Sequence, residues 1–293
     1  MTCLACHNVS GDKDIETVIS KFSHHPVESA MGVHDPREDP LSAMYHVECA
    51  DCHNPHQLNN ETADPPMVNG RNGGVKGVTI DGFVTALDAQ YEYEICFRCH
   101  ADNSFVDTNT IPRQVEEINK RLAFNPVNPS FHPVAALGKG LDVPSLRPEY
   151  TTSSMIYCTD CHNNNDSVKA GGTGTNGPHG SDYSPLLIGR YEMNYPQDYS
   201  VSSYEVCFRC HDPLILMDPL QSPFPSHNSH VHGHKIPCSV CHDAHGVSLV
   251  SGGTVTANAH LINFDITVVT SGSYDSIARS CTVSCHHANP KSY

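Results

Sequence analysis

The sequence predicts a mostly irregular, loop-rich fold with a few short α-helices and minimal β-structure, in which the chain wraps around bound groups instead of a large apolar core. Three observations carry this reading. The 293 residues include 20 Gly, 21 Pro and no Trp, and only 38% are hydrophobic, a composition that favours turns over long elements. All 14 cysteines fall into seven pairs, and each pair closes on a His. Divided among seven such groups, the chain offers about 42 residues to each, too few to build a protein core around every one.

Six of the groups read C-x-x-C-H: Cys3, Cys6 and His7; Cys49, Cys52 and His53; Cys96, Cys99 and His100; Cys158, Cys161 and His162; Cys207, Cys210 and His211; Cys238, Cys241 and His242. The seventh, Cys281, Cys285 and His286, has one extra residue between its cysteines. Two thiols at this spacing add across the two vinyl groups of one porphyrin, and the His that follows reaches the iron as proximal ligand. Zinc is the competing reading, but there two C-x-x-C pairs combine into one tetrahedral site and an adjacent His is optional. Here every pair has its own His and no cysteine is left over for a disulfide. The residues therefore imply seven haem c groups, with zinc or an empty site kept as an alternative at the irregular last motif.

Regular structure is expected to be sparse. Residues 12–22 place Ile15, Val18, Ile19 and Phe22 on one helical face, and 112–122 do the same with Val115, Ile118 and Leu122 after an initial Pro112. Short helices leading into each thiol motif would put both cysteines on one side. Residues 254–256 and 266–269 read as extended, enough for a hairpin at most. The Gly-rich stretches 69–77 and 169–177 read as irregular linkers.

Internal repeats organise the chain. The octapeptide Tyr-Glu-Ile-Cys-Phe-Arg-Cys-His at 93–100 recurs as Tyr-Glu-Val-Cys-Phe-Arg-Cys-His at 204–211, about 110 residues later. His25-Pro26-Val27 is answered by His132-Pro133-Val134, and Cys49-Ala50-Asp51-Cys52-His53-Asn54 by Cys158-Thr159-Asp160-Cys161-His162-Asn163. The division is an N-terminal one-haem segment, 1–24, and three two-haem repeats, 25–131, 132–226 and 227–293, within one continuous haem-packed domain. Differences in loop length point to old duplication, not to a regular superhelix.

The 21 histidines exceed what the proximal positions require. Repeat position nominates His25, His56, His132, His179, His230 and His245 as distal iron ligands. Pro26, Pro55, Pro133 and Pro178 stiffen the backbone beside four of them. The ordinary alternative for any one of them is a solvated loop residue or a propionate partner. His227 is the first choice for a seventh ligand and His24 the next, while His34, His46, His234, His260 and His287 also lie near thiol motifs. His232 reads as an exposed or propionate-contacting side chain. The first motif begins at Cys3, so its haem is expected at a molecular end, where a neighbouring subunit could supply the distal His.

The formal net charge is −15, and haem propionates would add to it. Nucleic acid is therefore excluded as a natural partner, and adhesion to anionic lipid is disfavoured. No apolar stretch is long enough to span a bilayer, and no signal peptide is recognisable at the start. Since haem is attached to such motifs outside the cytoplasmic membrane, the numbered chain is expected to be the mature or trimmed form of an exported precursor, located outside the cell or at its surface.

The His-Pro-Val elements, the paired motifs, the run Cys238-Ser-Val-Cys241-His242-Asp-Ala-His245-Gly, and the ending His260-Leu-Ile-Asn-Phe-Asp through Asn-Pro-Lys-Ser-Tyr293 resemble the paired-C-x-x-C-H multihaem cytochromes. These are exported proteins of metal-reducing and other anaerobic bacteria and archaea. Within that group the architecture resembles the extracellular cytochrome filaments, or nanowires. The resemblance implies bis-His haems in one continuous chain, electron transfer with no catalytic residue, self-association into a filament, and redox proteins or extracellular acceptors as partners. A soluble periplasmic carrier or a component of an outer-membrane conduit would use the same internal chemistry. A multihaem reductase would need an open distal face on one haem, and no C-x-x-C-K motif marks one here.

Overall fold

The computed structural model describes residues 3–11, 13–29, 33–35, 37–44, 46–102, 109–285 and 291–292. The backbone is loop-rich, as expected: among the described residues no helix exceeds five residues, and none is long and apolar enough to cross a membrane. Among the described residues the sheets comprise two two-residue strand pairs and one three-stranded sheet.

Two compact units are present, one formed by Met1–Phe105 with Ile156–Tyr191, the other by Val106–Met155 with Glu192–Tyr293. The first four thiol motifs belong to the first unit and the last three to the second.

One arrangement is built in each unit. In the first, Asp14 caps the helix Ile15–Ile19 by accepting from Thr17 N at 2.9 Å, and the helix buries Val18 and Ile19. The strand Ser23–His24 then pairs antiparallel with Gly180–Ser181, with His24 opposite Gly180. In the second unit, Asn119 caps the helix Lys120–Ala123. Ser130–Phe131 pairs with Gly246–Val247, and Phe131 stands opposite Gly246. Each pair is closed at its outer end by one more bond, from His25 N to His179 O at 3.3 Å and from His132 N to His245 O at 3.0 Å. Both His-Pro-Val segments also make the same tight turn, Val27 N to His25 O at 2.8 Å and Val134 N to His132 O at 2.7 Å, for which proline supplies the required φ.

Glycine is needed at the crossing of helix and strand. A Cβ on Gly180 would lie 1.9 Å from Val18 O, and one on Gly246 would lie 2.3 Å from Ala123 O. No side chain fits there.

Several expected elements are rearranged. The helix expected over 12–22 occupies only Ile15–Ile19 among the described residues. The one expected over 112–122 is confined to Lys120–Ala123, because the preceding backbone bonds to another segment. Gln114 N donates to Phe264 O, Val115 N donates to Asn263 Oδ1, and Asn263 Nδ2 donates to Val115 O, at 2.9 to 3.1 Å. Residues 254–256 lie in a turn closed by Asn258 N to Thr254 O. At 266–268 Asp265 holds another turn by accepting from Thr267 N, so the strand begins only at Val269 and runs to Asp275 against Ser280–Cys285. Nor are the Gly-rich stretches slack linkers: Gly70–Asn72 and Val168–Ala170 form single 3-10 turns, capped by the side chains of Asn69 and Ser167.

Val240, Ile262, Phe264, Val268 and Val269 form a cluster in the second unit, while Phe22, Leu141 and Leu220 are largely exposed.

Candidate haem-binding sites

In each of the six C-x-x-C-H motifs the chain makes one turn of helix or 3-10 helix at or leading into the motif. The His N–H bonds back to the first cysteine's carbonyl in all six: His7 to Cys3, His53 to Cys49, His100 to Cys96, His162 to Cys158, His211 to Cys207 and His242 to Cys238, at 2.9 to 3.0 Å. Such a turn sets residues three and four apart on one side. Acidic side chains stabilise several of these turns by capping their open start. Asp51 Oδ2 accepts from Glu48 N at 2.7 Å, Asp160 Oδ2 from Tyr157 N at 2.7 Å and Glu94 Oε2 from Tyr91 N at 3.1 Å.

The seventh motif differs. Cys281 and Cys285 stand in the strand Ser280–Cys285, opposite Tyr274 and Val269. Four residues of extended chain span roughly 13 Å, so the two thiol positions do not share a turn in this conformation. His286 and His287 lie outside the described residues.

Proximal and distal candidates face one another at a recurring distance. Ring centres lie 6.2 Å apart for His25 and His100, 6.1 Å for His53 and His179, and 6.3 Å for His227 and His242. Two imidazoles bound through nitrogen at about 2 Å to a shared ion have ring centres about 6 Å apart. His211 and His132 are also close enough to interact. Separation alone is not decisive, since His230 and His234, on one turn, are 6.1 Å apart as well.

Hydrogen bonding prepares the rings for coordination. His53 Nδ1 lies 2.8 Å from Arg71 O, His162 Nδ1 2.9 Å from Pro185 O, His242 Nδ1 3.0 Å from His260 O, and His132 Nδ1 2.6 Å from Ala244 O. A carbonyl only accepts, so Nδ1 carries the proton and Nε2 keeps its lone pair. Burial lowers His25, His179, His211, His227 and His242 to about 4, reinforced in each by a neighbouring His. These rings are neutral near pH 7, the state an iron ligand requires.

The remaining nominated histidines are placed less tightly. His56 is exposed, and the ring facing His53 belongs to His179 instead. His230 is half-buried with Nδ1 2.8 Å from Ser226 O, and His245 packs edge-on against Phe124 at 5.5 Å. His24 is exposed, and exposed His232 lies 4.2 Å from the Tyr199 ring. Cys3, Cys6 and His7 are all exposed.

Neighbouring motifs bring their thiols together. Cys3 lies near Cys49, and Cys96 near Cys158. Cys52 lies near Cys96 and Cys99. In the second unit Cys207 and Cys238 adjoin. Within the first unit the motifs thus follow one another in chain order.

Two buried residues went unnoticed in the sequence. Arg113 fans over the sixth motif, its Nη1 donating to Ser239 O and to Asn263 O at 2.5 and 2.8 Å and its Nη2 to His242 O at 3.0 Å. Glu92 accepts from Thr159 N and Oγ1 at 3.0 to 3.1 Å, joining the helix of the third motif to the turn of the fourth. No short-range pattern signals either, because their partners are distant in sequence.

No protein-family model matches the chain, and no solved structure matches it. Among curated proteins it is 22% identical over 222 residues to the multiheme cytochrome MtrA of Shewanella baltica (strain OS185), covering 72% of this chain and 52% of that protein. The likeness is to a multihaem cytochrome. It supports haem c as the cofactor and electron transfer as the chemistry, and the thiol turns and buried neutral imidazoles fit that group. The chain spans about half the length of the relative it matches.

Proposed function

We propose that the chain is a heptahaem c-type cytochrome for long-range extracellular electron transfer, a subunit of a polymeric filament with bis-His iron ligation. The observation that carries the proposal is the set of ring separations of 6.1 to 6.3 Å joining His25 to His100, His53 to His179 and His227 to His242. Haem, when bound, supplies one-electron chemistry at the iron. The chain's part is to hold the cofactors and keep substrates off. Fourteen thiols and seven proximal histidines would anchor the groups, and His25, His132, His179 and His227 would close their iron faces. His56, His230 and His245 would serve the other three irons, and with both faces of each iron closed no substrate reaches the metal, so the proposal assigns no catalytic residue and no enzyme activity.

Thiol contacts from Cys3 to Cys49, from Cys52 to Cys96, and from Cys96 to Cys158 favour closely spaced cofactors within the first unit. Exposure of Cys3, Cys6 and His7 favours a terminal port completed by a neighbouring subunit. Location outside the cell follows from where such motifs acquire haem. Electron microscopy of the native protein tests the assembly: haem-containing filaments are expected, whereas uniform small particles would replace the filament with a soluble carrier or conduit component.

A further inference from the structure

We propose that His34, Glu38, His46 and Asp51 bind one divalent transition-metal ion of the zinc type, at a site separate from the thiol motifs' own His ligands. One donor atom from each of the four side chains lies within 4.8 Å of the others. The close approaches are His34 Nδ1 to Asp51 Oδ1 at 3.0 Å and to Glu38 Oε1 at 3.5 Å, and His46 Nε2 to Glu38 Oε1 at 3.6 Å and to Asp51 Oδ2 at 3.8 Å. Tetrahedral ligands about 2.0 Å from zinc stand about 3.3 Å from one another, so the donors already bracket the required spacing.

The surroundings of His46 give a second observation. Its side chain is 8% exposed, and its Nδ1 sits 2.7 Å from Met44 O, which places the proton on Nδ1. Nε2 is buried without a hydrogen-bond partner and faces the carboxylates of Glu38 and Asp51 at 3.6 and 3.8 Å. A cation seated there would satisfy the buried imidazole nitrogen and use the remaining lone pairs of both carboxylates.

Surrounding charge suits a dication. Arg98 Nη2 lies 2.9 Å from Asp51 Oδ1 and 3.4 Å from Glu38 Oε1. It offsets one of the two carboxylates while leaving each with further lone pairs. Mixed imidazole and carboxylate ligation favours zinc and its first-row neighbours over calcium or magnesium. The bound ion would clip the 34–46 segment to the turn that carries Cys49 and Cys52. The proposal does not depend on the filament reading.

The test uses the full-length haem-loaded protein, dialysed against EDTA, titrated with zinc and assayed by elemental mass spectrometry. One zinc per chain is expected. His46→Ala should weaken uptake at least about 100-fold and Glu38→Gln at least about 10-fold, with the low-spin haem spectrum unchanged in both. If His46→Ala does not fold, Glu38→Gln decides, since Glu38 lies outside every thiol motif. Failure of the wild type to take up one equivalent, or equal uptake by the variants, overturns the proposal. So does a carbon-monoxide-binding haem in His46→Ala, which would make His46 an iron ligand.

Discussion

His179 is half-buried, its buried Nδ1 has no partner, and its ring stands 6.1 Å from that of His53. Gly177, at φ +113°, leaves room for it: a Cβ there would approach His179 Cε1 to 2.8 Å. His179→Ala should open one iron position, so the reduced variant is expected to bind carbon monoxide at a single haem while the wild type binds none. An unchanged spectrum would remove His179 from the ligand set. Glu92 presents a pH-dependent case. Burial raises its pKa above the ordinary 4.5, so the folded chain holds this proton more tightly than the unfolded chain. Its contribution to stability is therefore fullest below pH 4.5 and declines as pH rises through the folded value. Glu92→Gln removes that decline and can keep the contacts to Thr159. The stability of the variant relative to wild type should rise between pH 4.5 and 7, read from paired denaturant titrations; a flat difference would contradict the assignment.

Among elements, the decisive ones are the two-residue strand pairs 23–24 with 180–181 and 130–131 with 246–247. Each sets two histidines side by side, His25 with His179 and His132 with His245, although long stretches of chain separate them. Sequence comparison made His25 and His132 equivalent, and the structure adds the equivalence of His179-Gly180 and His245-Gly246. Why glycine follows histidine became clear only with the helix carbonyls of Val18 and Ala123 packed against it. Gly180→Ala and Gly246→Ala should each destabilise their unit by about 1–3 kcal/mol, measured by thermal or denaturant unfolding. Equal stability would mean the crossing is looser than described. The helix expected over 112–122 fails for a similar reason: Asn263 and Phe264 bond with its backbone groups, and this tertiary contact overrides local propensity.

For the whole molecule the open quantity is the number of haems. Six motifs form the thiol turn, while Cys281 and Cys285 lie along a strand. Mass spectrometry of the denatured chain should show an increment of seven haems if that hairpin rearranges on attachment. An increment of six would remove the last site and leave the hairpin as a structural cap. Phe22, Leu141 and Leu220 are large apolar side chains left exposed, surface that bound groups or a partner would cover.

What the sequence determined by itself is the covalent chemistry: spacing of two thiols and a His is local, and a single turn suffices to present them. It also determined the loop-rich character, through Gly, Pro and short apolar runs. Which imidazoles stand across from one another was decided by tertiary structure alone. A histidine's role depends on what lies across from it, and only the fold brings His179 opposite His53. The convergence of His34, Glu38, His46 and Asp51 is likewise tertiary, because it depends on the segment around 34–46 lying back over the Cys49–Cys52 turn.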